Sequence, residues 1–123
     1  MSTLTEVGGS HYAKQKYQPI KLIAELNLNF FQGNIVKYLT RYRDKNGAED
    51  IQKALHYAQL GASLLPKNNA LLFQESVQAI HDYCLGNNLP RGVEAIFVYT
   101  LHQNWVMTEK TIESLYQRLY EQT

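Results

Sequence analysis

Four residues in one short stretch have the types and spacing to grip an anion. Asn34, Lys37, Tyr38 and Arg41 follow one another at steps of three, one and three. On a helix they form a strip beside the apolar stripe. Lys45 continues the line just past the expected helix end. Arginine offers phosphate oxygens a planar fork of N–H donors, and lysine offers a point charge. An amide and a phenol beside them can hold a base or a sugar. The plainer reading of such a strip is a solvated face, and periodicity does not separate the two. Gly33 gives a reason to look further, because a glycine inside a helix costs about 1 kcal/mol relative to alanine. Either a close helix contact or a ligand reaching the backbone must compensate, and close packing is the commoner reason.

Two further groups stand near this strip in sequence. Asp50, Lys53 and Tyr57 fall on one side of the next expected helix. An Asp–Lys pair three apart reads first as a surface ion pair worth about 0.2–0.5 kcal/mol. Ser10-His11-Tyr12 places an imidazole and a phenol in an N-terminal loop. His11 could bond a phosphate or stack on a base with Tyr12, although a loop histidine is ordinarily just exposed. Other chemistries find no support. No glycine-rich loop ends in Lys-Ser or Lys-Thr, which excludes a P-loop kinase. No His, Cys, Asp and Glu set has metal-ligand spacing, and no Ser-His-Asp set stands out. A helix-turn-helix drawn with Thr108 opening its second helix fails on charge, since Glu109, Glu113 and Glu121 oppose Lys110 and Arg118.

The elements that must position these residues are helices. Met1–Ser10 reads as a flexible leader, and His11–Gln18 as irregular. Pro19 suits a first helical turn, opening a short helix to Leu26 with Ile20, Ile23 and Leu26 inward. Asn29 is a good N-cap for a helix from Phe30 to Arg43, with Phe31, Ile35, Leu39 and Tyr42 on its apolar face. Gly47 turns the chain into a third helix, Ala48–Leu65, carrying Glu49 and Asp50 in its first turn, where the helix dipole favours negative charge. The short break makes these two helices antiparallel neighbours. Three more follow: Ala70–Leu85 with Phe73, Val77, Ile80 and Cys84 inward; Arg91–His102, in which Ala95–Thr100 could also pass for a short buried strand; and a last helix, N-capped by Thr108 and running to Glu121, with Ile112, Leu115, Tyr116 and Leu119 inward. The expected fold is all-α, a compact bundle of five or six short helices around a central antiparallel hairpin. It divides into a leader (1–10), a helical part bearing the strip (11–65) and a C-terminal helical extension packed on it (66–123).

Composition bounds the partners. The chain has 123 residues, 45% of them hydrophobic, which suits one compact unit. Only 19% are charged, below the usual share, and there are nine tyrosines. Few charges and many aromatics suggest a surface partly covered by a copy of itself, hence a homo-oligomer. Net charge is +1. Residues 1–65 carry eight Lys/Arg against five Asp/Glu, and residues 66–123 four against six. A basic first half can serve a small anion, and an acidic second half argues against wrapping nucleic acid. One cysteine, Cys84, allows no intrachain disulfide and fits a reducing compartment. The start of the chain lacks the basic and apolar runs of a signal peptide, and no stretch is apolar enough to span a membrane. The expected location is the cytoplasm.

The order of short motifs resembles a known family. Ser10-His11-Tyr12, Gln18-Pro19-Ile20, Phe31-Gln32-Gly33-Asn34-Ile35-Val36-Lys37-Tyr38 with Arg41, and Glu49-Asp50-Ile51-Gln52-Lys53-Ala54 together look like the SaV-like phage domain of unknown function. That domain is itself similar to the C-terminal part of the small nucleotide kinase of a T-odd coliphage. The likeness covers about residues 8–65. It implies a phage-encoded, helical, oligomeric protein of the host cytoplasm with a nucleotide ligand, because the kinase relative phosphorylates deoxynucleoside monophosphates without a Walker motif. By position it singles out His11, Tyr12, Gly33, Asn34, Lys37, Tyr38, Arg41, Asp50 and Lys53. The chain lacks the kinase relative's long N-terminal extension and has its own C-terminal half.

Three functions follow as expectations. One is a metal-independent nucleotide kinase in which Lys37, Arg41 and Lys53 neutralise the transferring phosphoryl group and His11 serves as acid or base; ATP would be the only co-substrate and no other cofactor is expected. Phosphoryl transfer rests mainly on positioning and charge, so a P-loop is not obligatory. The second is an oligomeric sponge that sequesters a nucleotide immune signal of the host, with Tyr12, Tyr38 and Tyr42 available to stack on bases. The third is a ligand-free adaptor.

Overall fold

Pro19 occupies the start of α1 (Pro19–Glu25), preceded by Gln18 in extended conformation, where a proline's missing N–H costs nothing. The computed structural model describes residues 17–121. These form six α-helices and one 3-10 turn, with no strand among the described residues. After α1 come α2 (Phe30–Arg41), the turn Tyr42–Asp44, α3 (Ala48–Leu64), α4 (Gln74–Gly86), α5 (Arg91–His102) and α6 (Trp105–Tyr120). The all-α expectation holds, and α2 and α3 form the most extensive helix pair. The expected leader, His11 and Tyr12 lie outside the described residues.

Asn29 caps α2 reciprocally with Gln32. The Gln32 backbone N–H donates to Asn29 Oδ1 at 2.8 Å, and the Asn29 N–H donates to Gln32 Oε1 at 2.9 Å. This capping box satisfies two groups at the helix start. Gln32 is itself buried, and its amide nitrogen donates onward to the Thr100 and Leu101 carbonyls at 3.0 and 3.4 Å. The start of α2 is thereby fixed to the end of α5. At the other end of α2, Gly47 adopts φ +53° and ψ −118°, a conformation that side chains resist. Its N–H donates to the Tyr42 carbonyl at 2.9 Å, and the chain reverses into α3.

Four helices close a ring: α2 packs on α3, α3 on α6, α6 on α5, and α5 on α2. The short helices α1 and α4 flank it, α1 against α2 and α4 against α5. One hydrophobic cluster draws on all six, including Leu22, Ile35, Leu39, Ile51, Ile80, Phe97 and Ile112. It runs across the boundary expected at residue 65. Gly61 of α3 is buried because α6 comes close there; a Cβ at Gly61 would stand 2.8 Å from the Trp105 ring.

Several expected details differ. α4 begins at Gln74 instead of Ala70. The Ala70 N–H donates to the His102 carbonyl at 2.8 Å, and His102 Nδ1 meets the Ala70 carbonyl at 2.6 Å. This double link to the end of α5 takes up the backbone groups that a helix start would use, and a tertiary contact overrides local helix propensity. Phe73 is consequently exposed, not inward. α6 begins four residues early, at Trp105, because Asn104 and not Thr108 caps it, accepting from the Met107 N–H at 3.2 Å. Thr108 is a buried helical residue whose hydroxyl donates to the Asn104 carbonyl at 2.8 Å. Ile20 and Leu119 are exposed near helix ends, and Leu22 takes the inward place in α1. Ala95–Thr100 is helical, with Ile96, Phe97 and Thr100 buried at helical spacing.

Candidate functional site

The strip on α2 meets α3 at the Tyr38 ring. Lys37 Nζ lies 4.8 Å from the ring centre, Arg41 Cζ 4.8 Å and Lys53 Nζ 5.4 Å. These are cation–π distances. Lys37 and Arg41 come from α2 and Lys53 from α3, so the antiparallel hairpin is what assembles the group. Tyr57 of α3 stacks beside Tyr38, with centroids 6.0 Å apart and planes at 17°. Phe30, at the start of α2, meets the Tyr57 ring edge-on at 5.7 Å. A row of three rings therefore runs along the α2–α3 surface, with cations gathered around its Tyr38 end.

Arg41 is held, not loose. Its Nε donates to Asp50 Oδ2 at 3.2 Å and its Nη2 to Asp50 Oδ1 at 3.1 Å. Asp50 is fully buried and Arg41 is 8% exposed. The Asn46 N–H adds a third donor to Asp50 at 3.3 Å. The pair closes the turn between α2 and α3 and fixes the guanidinium beside Tyr38. Asp50 balances Arg41, which leaves Lys37 and Lys53 as the surplus positive charge of the strip. Among the described residues neither lysine has a carboxylate within ion-pair reach.

The remaining sequence-predicted residues are placed as follows. Asn34 Nδ2 donates to the Phe30 carbonyl at 2.8 Å, a contact within its own helix. Gly33 is buried under Ile23 of α1, whose side chain would lie 3.4 Å from an added Cβ. That is ordinary van der Waals contact, so packing does not demand a glycine at this position, and the neighbour it meets belongs to α1 and not to the Tyr38 group. Lys45 is exposed beyond the turn Tyr42–Asp44, which interrupts the straight continuation of α2 that its spacing implied. His11 and Tyr12 fall outside the described residues. Phe30 is the member of the aromatic row that sequence reasoning missed. Its place four residues before Asn34 on the strip side was the available signal.

Other reactive groups stand apart. Burial, with a smaller contribution from Glu94, pushes the Cys84 thiol up to about 12, so it is protonated and inert at neutral pH. Burial also raises the Tyr42 phenol, against the opposing pull of Arg43. Among the described residues no three His, Cys, Asp or Glu side chains gather in a metal-holding group. A groove of about 210 Å³ between α3 and α6 is lined by Gln52, Tyr116, Glu113 and Glu121 among others. It shares no residue with the Tyr38 group, and its two carboxylates suit no phosphate. No helix among the described residues is long and apolar enough to cross a membrane.

The fold and strip define an all-α bundle with a cation-rimmed aromatic row on its central hairpin. The sequence model of a protein family of unknown function, DUF3310, matches residues 7–59. The matched span contains α1, α2 and most of α3, with every residue of the Tyr38 group inside it. No curated protein matches the chain, and no solved structure does.

Proposed function

We propose that this chain is a phage-encoded protein that binds a phosphorylated nucleotide along the Tyr38 strip, as a homo-oligomer in the host cytoplasm. The observation that carries the reading is the convergence of Lys37, Arg41 and Lys53 on one tyrosine ring, with a carboxylate in contact with Arg41 alone of the three. The two lysine ammonium groups are at most about 10 Å apart through that ring, about one Debye length at 0.1 M salt. Their mutual repulsion is relieved when an anion sits between them. The near-parallel Tyr38 and Tyr57 rings give a base an aromatic surface to stack on, and base–aromatic stacking is worth about 1–3 kcal/mol per base. The likeness to SaV-like phage proteins, and through them to a deoxynucleoside monophosphate kinase, supports the same ligand class.

Binding without chemistry is favoured over phosphoryl transfer. Asp50 is buried and already accepts three N–H bonds, so it is poorly placed to take a proton from a substrate hydroxyl, and His11, the acid–base candidate of the kinase reading, lies outside the described residues. A sponge for a cyclic or ADP-ribose-type signal needs only the grip. The test has two parts. Native mass spectrometry of the purified protein reads any retained ligand and the oligomer together. Calorimetric titration with deoxynucleoside monophosphates, ADP-ribose and cyclic dinucleotides then compares the wild type with Lys37→Ala/Lys53→Ala. The expected result is binding by the wild type, weakened roughly 10–100-fold in the double variant, on the scale of two lost charge-assisted contacts. Equal affinity in both proteins, or no binding by either, overturns the proposal. Formation of a diphosphate from ATP and a monophosphate would move the assignment from sponge to kinase on the same site.

A further inference from the structure

One end of the bundle is apolar and poor in charge, with Lys67 within it and Glu25 and Glu75 at its edge beside Gln74. The links from Gln32 to Thr100 and Leu101, from Ala70 to His102, and from Gly61 to Trp105 bring together the starts of α2 and α6, the ends of α3 and α5, and the segment leading into α4. Six large apolar side chains stand exposed there: Phe30, Leu64, Leu71, Leu72, Phe73 and Val106, from 41% for Leu72 to 79% for Leu71. The stretches that build this end are almost free of charge. Residues 26–36 and 95–108 contain no Lys, Arg, Asp or Glu, and residues 54–74 contain Lys67 alone. The opposite end also exposes apolar side chains, Tyr17, Ile20, Leu85, Leu119 and Tyr120. There they are interleaved with Lys21, Arg43, Asp44, Lys45, Asp82, Arg91, Arg118 and Glu121. Charge distinguishes the two ends.

We infer that this charge-poor end, with Leu71 and Phe73 at its centre, is the face through which two copies of this chain associate. The inference rests on the homo-oligomer reading above and assigns its surface. Taking roughly 150–200 Å² for each fully exposed side chain, the six present on the order of 600 Å² of apolar surface. That matches the upper end for the largest patch on an ordinary monomer, about 300–600 Å². It supplies most of the ~800 Å² that each partner contributes to a stable interface. A second copy is the occupant that the chemistry fits. Interface cores are depleted in charge and enriched in aromatics, and homodimer interfaces are the most apolar of them. The apolar centre of the patch meets its own copy without like-charge repulsion, with Lys67, Glu25 and Glu75 left to its rim. Phe30 belongs both to this end and to the aromatic row, so the interface borders the nucleotide strip.

Sedimentation equilibrium on the full chain tests the assignment. The wild type is expected at twice the chain mass, and raising sodium chloride to about 1 M leaves that mass unchanged, because no ion pair holds the face. Leu71→Glu/Phe73→Glu is expected at the chain mass, with dimerisation weakened about 100-fold or more. Leu85→Glu/Leu119→Glu, at the opposite end, keeps the wild-type mass. Circular dichroism melting reports whether each variant is folded, and the salt series on the wild type stands even if a variant is not. A variant at Leu71 and Phe73 that stays dimeric, or a wild-type dimer that dissociates in salt, overturns the assigned face while leaving self-association intact. A wild type at the chain mass up to about 0.1 mM overturns the face and the oligomer reading together. Nucleotide affinity, measured separately, is touched by neither result.

Discussion

Replacing Asp50 with alanine removes the carboxylate that closes the α2–α3 turn. In the folded protein it accepts from Arg41 Nε at 3.2 Å, Arg41 Nη2 at 3.1 Å and the Asn46 N–H at 3.3 Å, and it is fully buried. The variant leaves the guanidinium, 8% exposed, without that counter-charge. Removing one partner of a buried ion pair costs about 3–5 kcal/mol, chiefly because the other charge stays desolvated. Arg41 keeps a small exposed edge through which water can return, which favours the lower end, about 3 kcal/mol. That is a large fraction of the 5–15 kcal/mol typical of a whole domain. For a chain of this size it corresponds to a fall in Tm of roughly 10–15 °C. Urea unfolding followed by circular dichroism reads the loss, with the slope of the transition checked for constancy. Arg41→Met/Asp50→Leu, which removes both charges and keeps the volume, should recover most of it. A loss below about 1 kcal/mol for Asp50→Ala would falsify the argument, because that is the scale of an exposed pair.

Two further outcomes follow from packing and titration. Gly61→Ala places a Cβ 2.8 Å from the Trp105 ring and should cost about 1–3 kcal/mol by overpacking. Gly33→Ala meets Ile23 at an ordinary 3.4 Å and should be neutral or stabilising by up to about 1 kcal/mol through helix propensity; urea titration of the pair checks the contrast, and equal effects contradict it. Cys84 and Tyr42 have pKa values raised by burial, so the folded state holds their protons where the unfolded chain has released them. Their contribution to stability is intact at neutral pH and declines as pH climbs from about 9 toward 12. Cys84→Ala should flatten that decline in alkaline urea titrations, and a decline of unchanged steepness would count against the buried-thiol account.

Much of the scaffold was legible because the relevant signals are local. Pro19, the Asn29 cap, the break at Gly47 and the apolar spacing of Ile35, Leu39, Ile51 and Ile112 each depend on residues within a turn or two. The cationic strip was legible for the same reason: Lys37 and Arg41 share a helix face, and the hairpin brings Lys53 opposite. What escaped depends on contacts between distant parts. Asp50 reads in sequence as a first-turn acid paired with Lys53, yet it binds Arg41, nine residues back across the turn. The segment Ala70–Phe73 has good helix formers, yet His102 holds its first residue outside a helix. Thr108 is a sound cap by type, but Asn104 fits the tight reversal after α5, where Gln103 takes a left-handed conformation.

The buried amide of Gln32 joins two parts of the chain through main-chain atoms only. Its acceptors are the Thr100 carbonyl, which also accepts from the Gln103 N–H at 3.1 Å, and the Leu101 carbonyl, both in the last turn of α5, where carbonyl oxygens face outward from the helix end. Any residue except one that bends the backbone presents the same oxygens. Side chains at positions 100 and 101 are therefore free, as far as this joint is concerned, to drift while the docking persists. A C-terminal half of quite different composition could be grafted onto the residues bearing the strip, provided it covers the apolar faces of α2 and α3 and delivers a helix end to the same spot. The junction reads the shape of its neighbour, not its spelling.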